Sequence, residues 1–253
     1  MVRRIILALA GCILLLPGLL AFSGCSSPEF RNTAENKAAI IDQLNPTEPN
    51  PDFVTRATAN LENHGFKVDY FSGEAVTLEL YRQLPAAGYS LIIFRSHSGL
   101  LGTGQKGDQQ TCLFTNQLYS QTGELTDQLF DRVVKARVDN GPVLFGIGAD
   151  FVSSSMQGRF QNTTVIMMGC SSFKKDDLAQ AFIEKGAAAY CGWTTEVMLN
   201  YDEDVTLRLL DGILELNSME TAVNTAMQEK GPDPETGATL KYYLDPAGNP
   251  SSR

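Results

Sequence analysis

The sequence predicts an α/β protein built on a mostly parallel sheet, and three observations carry that expectation. Strand-like and helix-like segments alternate from residue 37 to residue 94. Two runs, Leu91-Ile92-Ile93-Phe94 and Val165-Ile166-Met167-Met168, are short and wholly apolar, the pattern of strands covered on both faces. Each run stops at small and polar residues, Arg95-Ser96-His97-Ser98-Gly99 and Gly169-Cys170-Ser171-Ser172. In open α/β sheets, ligands bind beyond the carboxyl ends of the strands.

Taken in order, Lys37 to Asp42 reads as the first buried strand. One helical turn is the alternative, but the prolines at 46, 49 and 51 stop any helix there. A helix then follows from Asp52 as N-cap, with Phe53, Ala57 and Leu61 on one face and His64-Gly65 closing it. Phe66 to Phe71 alternates as a second strand. Thr77 to Leu84 is a short helix ended by Pro85, and Tyr89 to Phe94 is the third strand. Parallel strands joined this way need right-handed crossovers. Ser98 to Asp108 is a glycine-rich loop, either a flap beside a site or a plain hairpin connection. It lacks Gly-Lys-Ser/Thr and so is no phosphate loop. Thr111 to Leu118 reads as an edge strand or hairpin arm. Glu124 to Val138 reads as an amphipathic helix with Leu125, Leu129 and Val133 inward. Pro142 to Ile147 reads as a further strand or arm, and Phe151 to Phe160 as a loop or short helix. After the Cys170 strand come a helix from Asp176 to Gly186, a core strand from Ala187 to Trp193, and helices over Asp202–Leu216 and Met219–Glu229. No internal repeat or linker divides residues 37–245, which read as one domain, with 246–253 as a frayed tail.

The 253 residues are 43% hydrophobic and 19% charged, a globular composition, and the net charge of −9 argues against a nucleic-acid partner. Residues 1–24 form a signal peptide: Arg3 and Arg4, an apolar stretch from Ile5 to Leu20, then small residues before Cys25. Phe22-Ser23-Gly24-Cys25 resembles a prokaryotic lipoprotein signal, in which the cysteine carries the lipid. Leu9-Ala10-Gly11-Cys12 fits the short motif too, but its apolar stretch is shorter, and an uncleaved transmembrane anchor is the other alternative. Cleavage before Cys25 would take the charge to −11 and leave residues 25–36 as a polar tether to a membrane surface. Cys112, Cys170 and Cys191 then remain, an odd number in an exported domain, which flags a reactive thiol. A Cys112–Cys191 disulfide is one option.

The chemistry converges on one pair. A thiol near neutral pH is a weak nucleophile until an imidazole takes its proton, and that imidazole can later protonate a leaving amine. The chain has two histidines. His64 sits at a helix end as a surface cap residue, whereas His97 follows a strand, as Cys170 does. Cys191, inside an apolar run, reads as a core residue. No Cys-x-x-Cys or His-Glu-x-x-His is present, so neither a metal nor a cofactor is implied.

An apolar strand, His, small residue and Gly, followed by a later apolar strand ending in a small residue and Cys, resembles clan CD cysteine peptidases. These are the caspase, legumain, clostripain, gingipain and CHAT relatives. Leu178 to Ala187, followed by Gly192-Trp193, is similar to the segment after their nucleophile. The resemblance implies a caspase-like three-layer α/β/α sandwich and hydrolysis of a peptide or protein substrate through a thioester. It assigns His97 as base, Cys170 as nucleophile, and the amides of Ser98 or Gly99 and of Cys170 as oxyanion donors. The chain departs from the family at two positions: Ser98 follows the histidine directly where Gly is usual, and Gly169 precedes the cysteine where Ala is common. Relatives that cleave after basic residues carry an acidic residue in the pocket, for which Asp150, Asp202 and Asp204 are the candidates. Trp193 would wall that pocket or pack in the core. A domain of the same fold that binds a peptide or protein without turnover is the rival reading.

Overall fold

The computed structural model describes residues 36–102 and 109–246. The expected signal peptide, Cys12, Cys25 and the tether up to residue 35 lie outside the described residues, as do residues 247–253. In chain order the elements are β1 Lys37–Asp42, α1 Pro51–Asn63, β2 Lys67–Ser72, α2 Leu78–Gln83, β3 Leu91–Arg95, β4 Ser98–Gly102 and β5 Gln109–Leu118. They continue with α3 Leu125–Leu129, β6 Val133–Ala136, β7 Leu144–Ile147, α4 Ala149–Ser154, β8 Thr163–Met168 and α5 Asp177–Glu184. β9 Ala187–Trp193, α6 Leu199–Leu216, α7 Met219–Lys230 and β10 Leu240–Leu244 complete the fold.

Six strands form the central sheet in the order β10-β9-β8-β3-β1-β2, all parallel except β10, which runs antiparallel to β9. Alternate side chains of these strands feed two separate cores, as the pleat requires. Ala39, Ile41, Ile92, Phe94, Val165 and Met167 pack with α2, α4 and α5 on one face. Ala38, Ile40, Ile93, Ile166, Met168 and Cys191 pack with α1, α6 and α7 on the other. Helices therefore cover both faces, and the continuous apolar runs of β3 and β8 follow from that double burial.

The remaining strands make a second, antiparallel sheet in the order β4-β5-β7-β6, beside the carboxyl end of β3. Ser98–Gly102 is thus a hairpin arm rather than a loop, and residues 103–108 lie outside the described set.

Four details differ from the sequence reading. The cap of α1 is Asn50, whose side chain accepts from the Phe53 amide at 3.1 Å, with Pro51 opening the helix, and not Asp52. The helix expected over 124–138 ends at Leu129. Asp131 takes a positive φ of 53°, and Val133 enters the second sheet through β6. Leu125 and Leu129, expected inward, are 62% and 78% exposed. Beyond Gly231 the chain adds the edge strand β10 to the central sheet. Cys112 and Cys191 are free thiols in different cores, so they form no disulfide.

Candidate active site

β3 and β8 are hydrogen-bonded neighbours with Arg95 opposite Met168, and the Ser96 amide extends the pairing to the Met168 carbonyl at 3.1 Å. His97 and Cys170 therefore each lie two residues past the same rung, at the carboxyl edge of adjacent parallel strands. The backbone of His97 is held on both sides. Its amide donates to Gln43 Oε1 at 3.0 Å, and its carbonyl accepts from the Phe114 amide at 3.1 Å and from Ser96 Oγ at 2.9 Å. Its half-buried ring packs against Phe114, with centroids 5.9 Å apart. Burial lowers the His97 pKa and the nearby Glu48 carboxylate opposes it, so the imidazole is held neutral at pH 7.

The turn carrying Cys170 is fixed by close approaches. A Cβ on Gly169 would lie 2.4 Å from Ser98 Oγ and 2.6 Å from the Ser96 carbonyl, so only glycine fits there. Ser98 Oγ donates to the Cys170 carbonyl at 2.8 Å, tying the Cys170 peptide to the histidine loop. The Ser98 hydroxymethyl and the Ser96 carbonyl together occupy the space an alanine methyl at 169 would need. Ser171 sits at a φ of 55°, and its amide donates to the Thr195 carbonyl at 2.8 Å. Ser172 Oγ accepts from the Trp193 amide at 2.9 Å, an approach that requires Gly192. The small residues around Cys170 are therefore parts of a turn docked onto the end of β9.

Cys170 is the half-exposed thiol of the three described, since Cys112 and Cys191 are fully buried. Its Sγ donates to the Val197 carbonyl at 3.6 Å, and no hydrogen bond joins it to the His97 ring. Burial raises the thiol pKa, the charges of Asp202 and Glu196 add to the rise, and backbone hydrogen bonding at Val197 and at Cys170 itself opposes it. The resting pair is a neutral thiol and a neutral imidazole. The Cys170 amide lies close to the sulfur, and the Ser98 amide has no partner among the described residues. The His97–Phe114 bond sets the alternation of the β4–β5 ladder: Gly99 exchanges bonds with Cys112 opposite, while the Ser98 amide points off the edge.

The expected pocket residues fall in different places. Trp193 is fully buried, and its Nε1 donates to Asp202 Oδ1 at 2.8 Å, so it is a core side chain and not a pocket wall. Asp202 is 2% exposed, also accepts from Thr206 at 3.2 Å, and its pKa is pushed up to about 7, chiefly by burial. It faces the interior and cannot meet a substrate cation. Asp150 lies exposed in the first turn of α4. Asp204 lines a surface cleft of about 260 Å³ with Met198, Tyr201, Asp233 and Glu235, one residue beyond the Val197 carbonyl that holds the thiol. The Asp233 carboxylate is taken up by the amides of Met198, Glu235 and Thr236. Asp204 pairs with Lys230 at 2.6 Å.

One group escaped the sequence reading. Arg95, fully buried, bonds Asp42 Oδ1 at 2.7 Å, Glu203 Oε1 at 2.8 and 2.6 Å, and the Glu48 carbonyl at 2.6 Å. This clamp joins the ends of β1 and β3 to α6 directly before the His97 loop. Its trace in the sequence is that both apolar strands end in a charge, Asp42 and Arg95, which the register sets side by side.

A mixed α/β core with a mostly parallel sheet, covered on both faces and followed by His and Cys at one edge, is the caspase-like, gingipain-like fold. The comparison with solved structures agrees at the level of fold: the chain matches the Arg-specific cysteine proteinase gingipain R with a TM-score of 0.50 and 12% identity, over 83% of this chain. It spans about half of that protein, 46% of its length. No family model and no curated protein matches the sequence. No helix among the described residues is long and apolar enough to cross a membrane.

Proposed function

We propose that the chain is a cysteine endopeptidase of this fold, tethered by a lipid on Cys25 to the extracytoplasmic face of a membrane. The observation that carries the proposal is the emergence of His97 and Cys170 at equal height from neighbouring parallel strands. Substrate entering beside Val197 competes for the thiol and turns it toward the imidazole. Neutral His97 takes the thiol proton as sulfur attacks the scissile carbonyl carbon. The amides of Ser98 and Cys170 receive the oxyanion, an interaction worth about 3 kcal/mol per donor in the transition state. As the C–N bond breaks, the imidazolium returns its proton to the amine. Neutral His97 then activates water to hydrolyse the thioester. In the cleft beyond Val197, where Asp204 is engaged by Lys230, Glu235 is the acidic side chain that would meet a basic residue before the scissile bond, in keeping with the arginine specificity stated for gingipain R.

The thiol's bond to Val197 rather than to His97 favours a second reading, a domain that binds peptides without turnover. An arginyl acyloxymethyl ketone separates the two. The peptidase reading expects covalent labelling mapped to Cys170, together with cleavage of an arginyl fluorogenic peptide that is lost in Cys170→Ala and His97→Ala. Labelling of other thiols with Cys170 untouched, or cleavage surviving in Cys170→Ala, would sink it. Incorporation of a palmitate analogue that disappears in Cys25→Ala tests the tether.

A further inference from the structure

The register of the second sheet leaves a specific set of main-chain groups without partners beside Cys170. β4 is the outermost strand, paired only with β5. Because His97 and Phe114 face each other across a hydrogen bond, the bonded pairs that follow are Gly99 with Cys112 and Leu101 with Gln110. Ser98 and Leu100 alternate with them, so their N–H and C=O groups point away from β5. Among the described residues nothing donates to or accepts from those four groups. On the β5 side the same alternation is independently visible, since the Thr111 amide opposite Leu100 turns away to Asp177 Oδ2 at 2.9 Å.

Exposed edges are normally blunted by lysine, proline or a covering element. Among the described residues this one carries none. It reads Ser98-Gly99-Leu100-Leu101-Gly102, and a side chain built on Gly99 would meet open space. Ser98 is 9% exposed as a whole residue, and its outward main-chain groups have no partner among the described residues. The strand begins one residue after His97 and is tied to Cys170 through the 2.8 Å Ser98 bond.

We infer that the free edge of β4 binds the substrate as an added strand, taking the extended backbone on the C-terminal side of the scissile bond. The assignment to that side follows from chemistry: the leaving amine must lie against the imidazole that protonates it, and β4 continues from that imidazole. It therefore rests on the peptidase reading, with the Ser98 amide serving the oxyanion. The Ser98 carbonyl and both groups of Leu100 pair with every second residue of the departing segment, at a spacing of about 6.8 Å. The side chains of that segment are selected weakly, but its backbone must be extended and able to donate.

Two perturbations test this. In the full-length protein, Leu100→Pro removes an outward N–H without touching the β4–β5 ladder, as proline is tolerated where the missing N–H faces off an edge. The expected result is about a tenfold loss in kcat/KM on arginyl octapeptides with an unchanged Tm, the size of one lost hydrogen bond. Unchanged kcat/KM in a folded variant overturns the inference. The second test uses the full-length Cys170→Ala protein and fluorescein-labelled Ala-Ala-Ala-Arg-Ala-Ala-Ala-Ala, N-methylated in turn at the four nitrogens after arginine. Affinity should fall at alternate nitrogens and hold at those between. No binding, uniform tolerance or uniform loss overturns the edge. Because this readout is binding, a wild-type protein that cleaves nothing would remove the peptidase reading while an alternating pattern still upheld the strand pairing.

Discussion

Asp202→Asn should make the protein more stable at pH 8 and leave it unimproved at pH 4. The Asp202 carboxyl, 2% exposed between Trp193 and Thr206, has its pKa moved from an ordinary 3.8 to about 7. A raised carboxyl pKa means the folded state holds the proton more tightly than the unfolded one. Its contribution is complete below the unfolded value and is lost as pH rises through the window from 3.8 to about 7. At ~1.36 kcal/mol per pH decade, the loss approaches about 4 kcal/mol. Asparagine cannot ionise, and its carbonyl can still accept from Trp193 Nε1 as a neutral carboxyl does. The variant should therefore exceed wild type by about 4 kcal/mol at pH 8 and roughly match it at pH 4, where folded Asp202 is itself a neutral carboxyl. Urea unfolding read through the emission of Trp193, the chain's one tryptophan, measures this at the Asp202 bond itself. A difference between variant and wild type that is the same at every pH would refute the reasoning. Since the Asp202 charge also raises the Cys170 pKa, alkylation of that thiol should shift to lower pH in the variant.

Two further outcomes follow from the site. Gly169→Ala should cost about 1–3 kcal/mol in the same unfolding assay. Adding Ser98→Gly should restore only part of it, because the Ser96 carbonyl 2.6 Å away remains; full rescue would show that backbone to be pliant. In the pH dependence of kcat/KM, the acid limb belongs to His97 and should have its midpoint below the ordinary 6.5, with activity present above it and lost beneath it. Glu48→Gln should move that limb lower still, and a limb above 6.5 would contradict the burial of the ring.

The sheet was legible because its strands are buried on both faces and so read as unbroken apolar runs. His97 and Cys170 were legible because they interrupt such runs at their carboxyl ends. Other features are not written locally. Leu125, Leu129 and Val133 recur at helical spacing, yet Asp131 turns the chain and the second sheet takes Val133, so periodicity alone misled. β10 is short and half polar, and its pairing with β9 depends on partners some fifty residues away. On sequence Asp202 is a pocket candidate and Trp193 stands between pocket wall and core, because nothing in the sequence says that one satisfies the other inside the fold. The Arg95 clamp likewise draws its ligands from positions 42 and 203, and only the register reveals it.

A parallel sheet gives the domain a front and a back. Every parallel strand enters at the end opposite His97 and Cys170, and Asn36 leads into β1 at that rear end. Whatever grips the chain ahead of residue 36 pulls from behind, while the thiol faces forward. Anchored at Cys25 as proposed, the protein would work like a hand on a short leash, reaching away from the lipid surface. Its natural targets would be chains that arrive from the surrounding space, rather than segments lying in the bilayer beneath it.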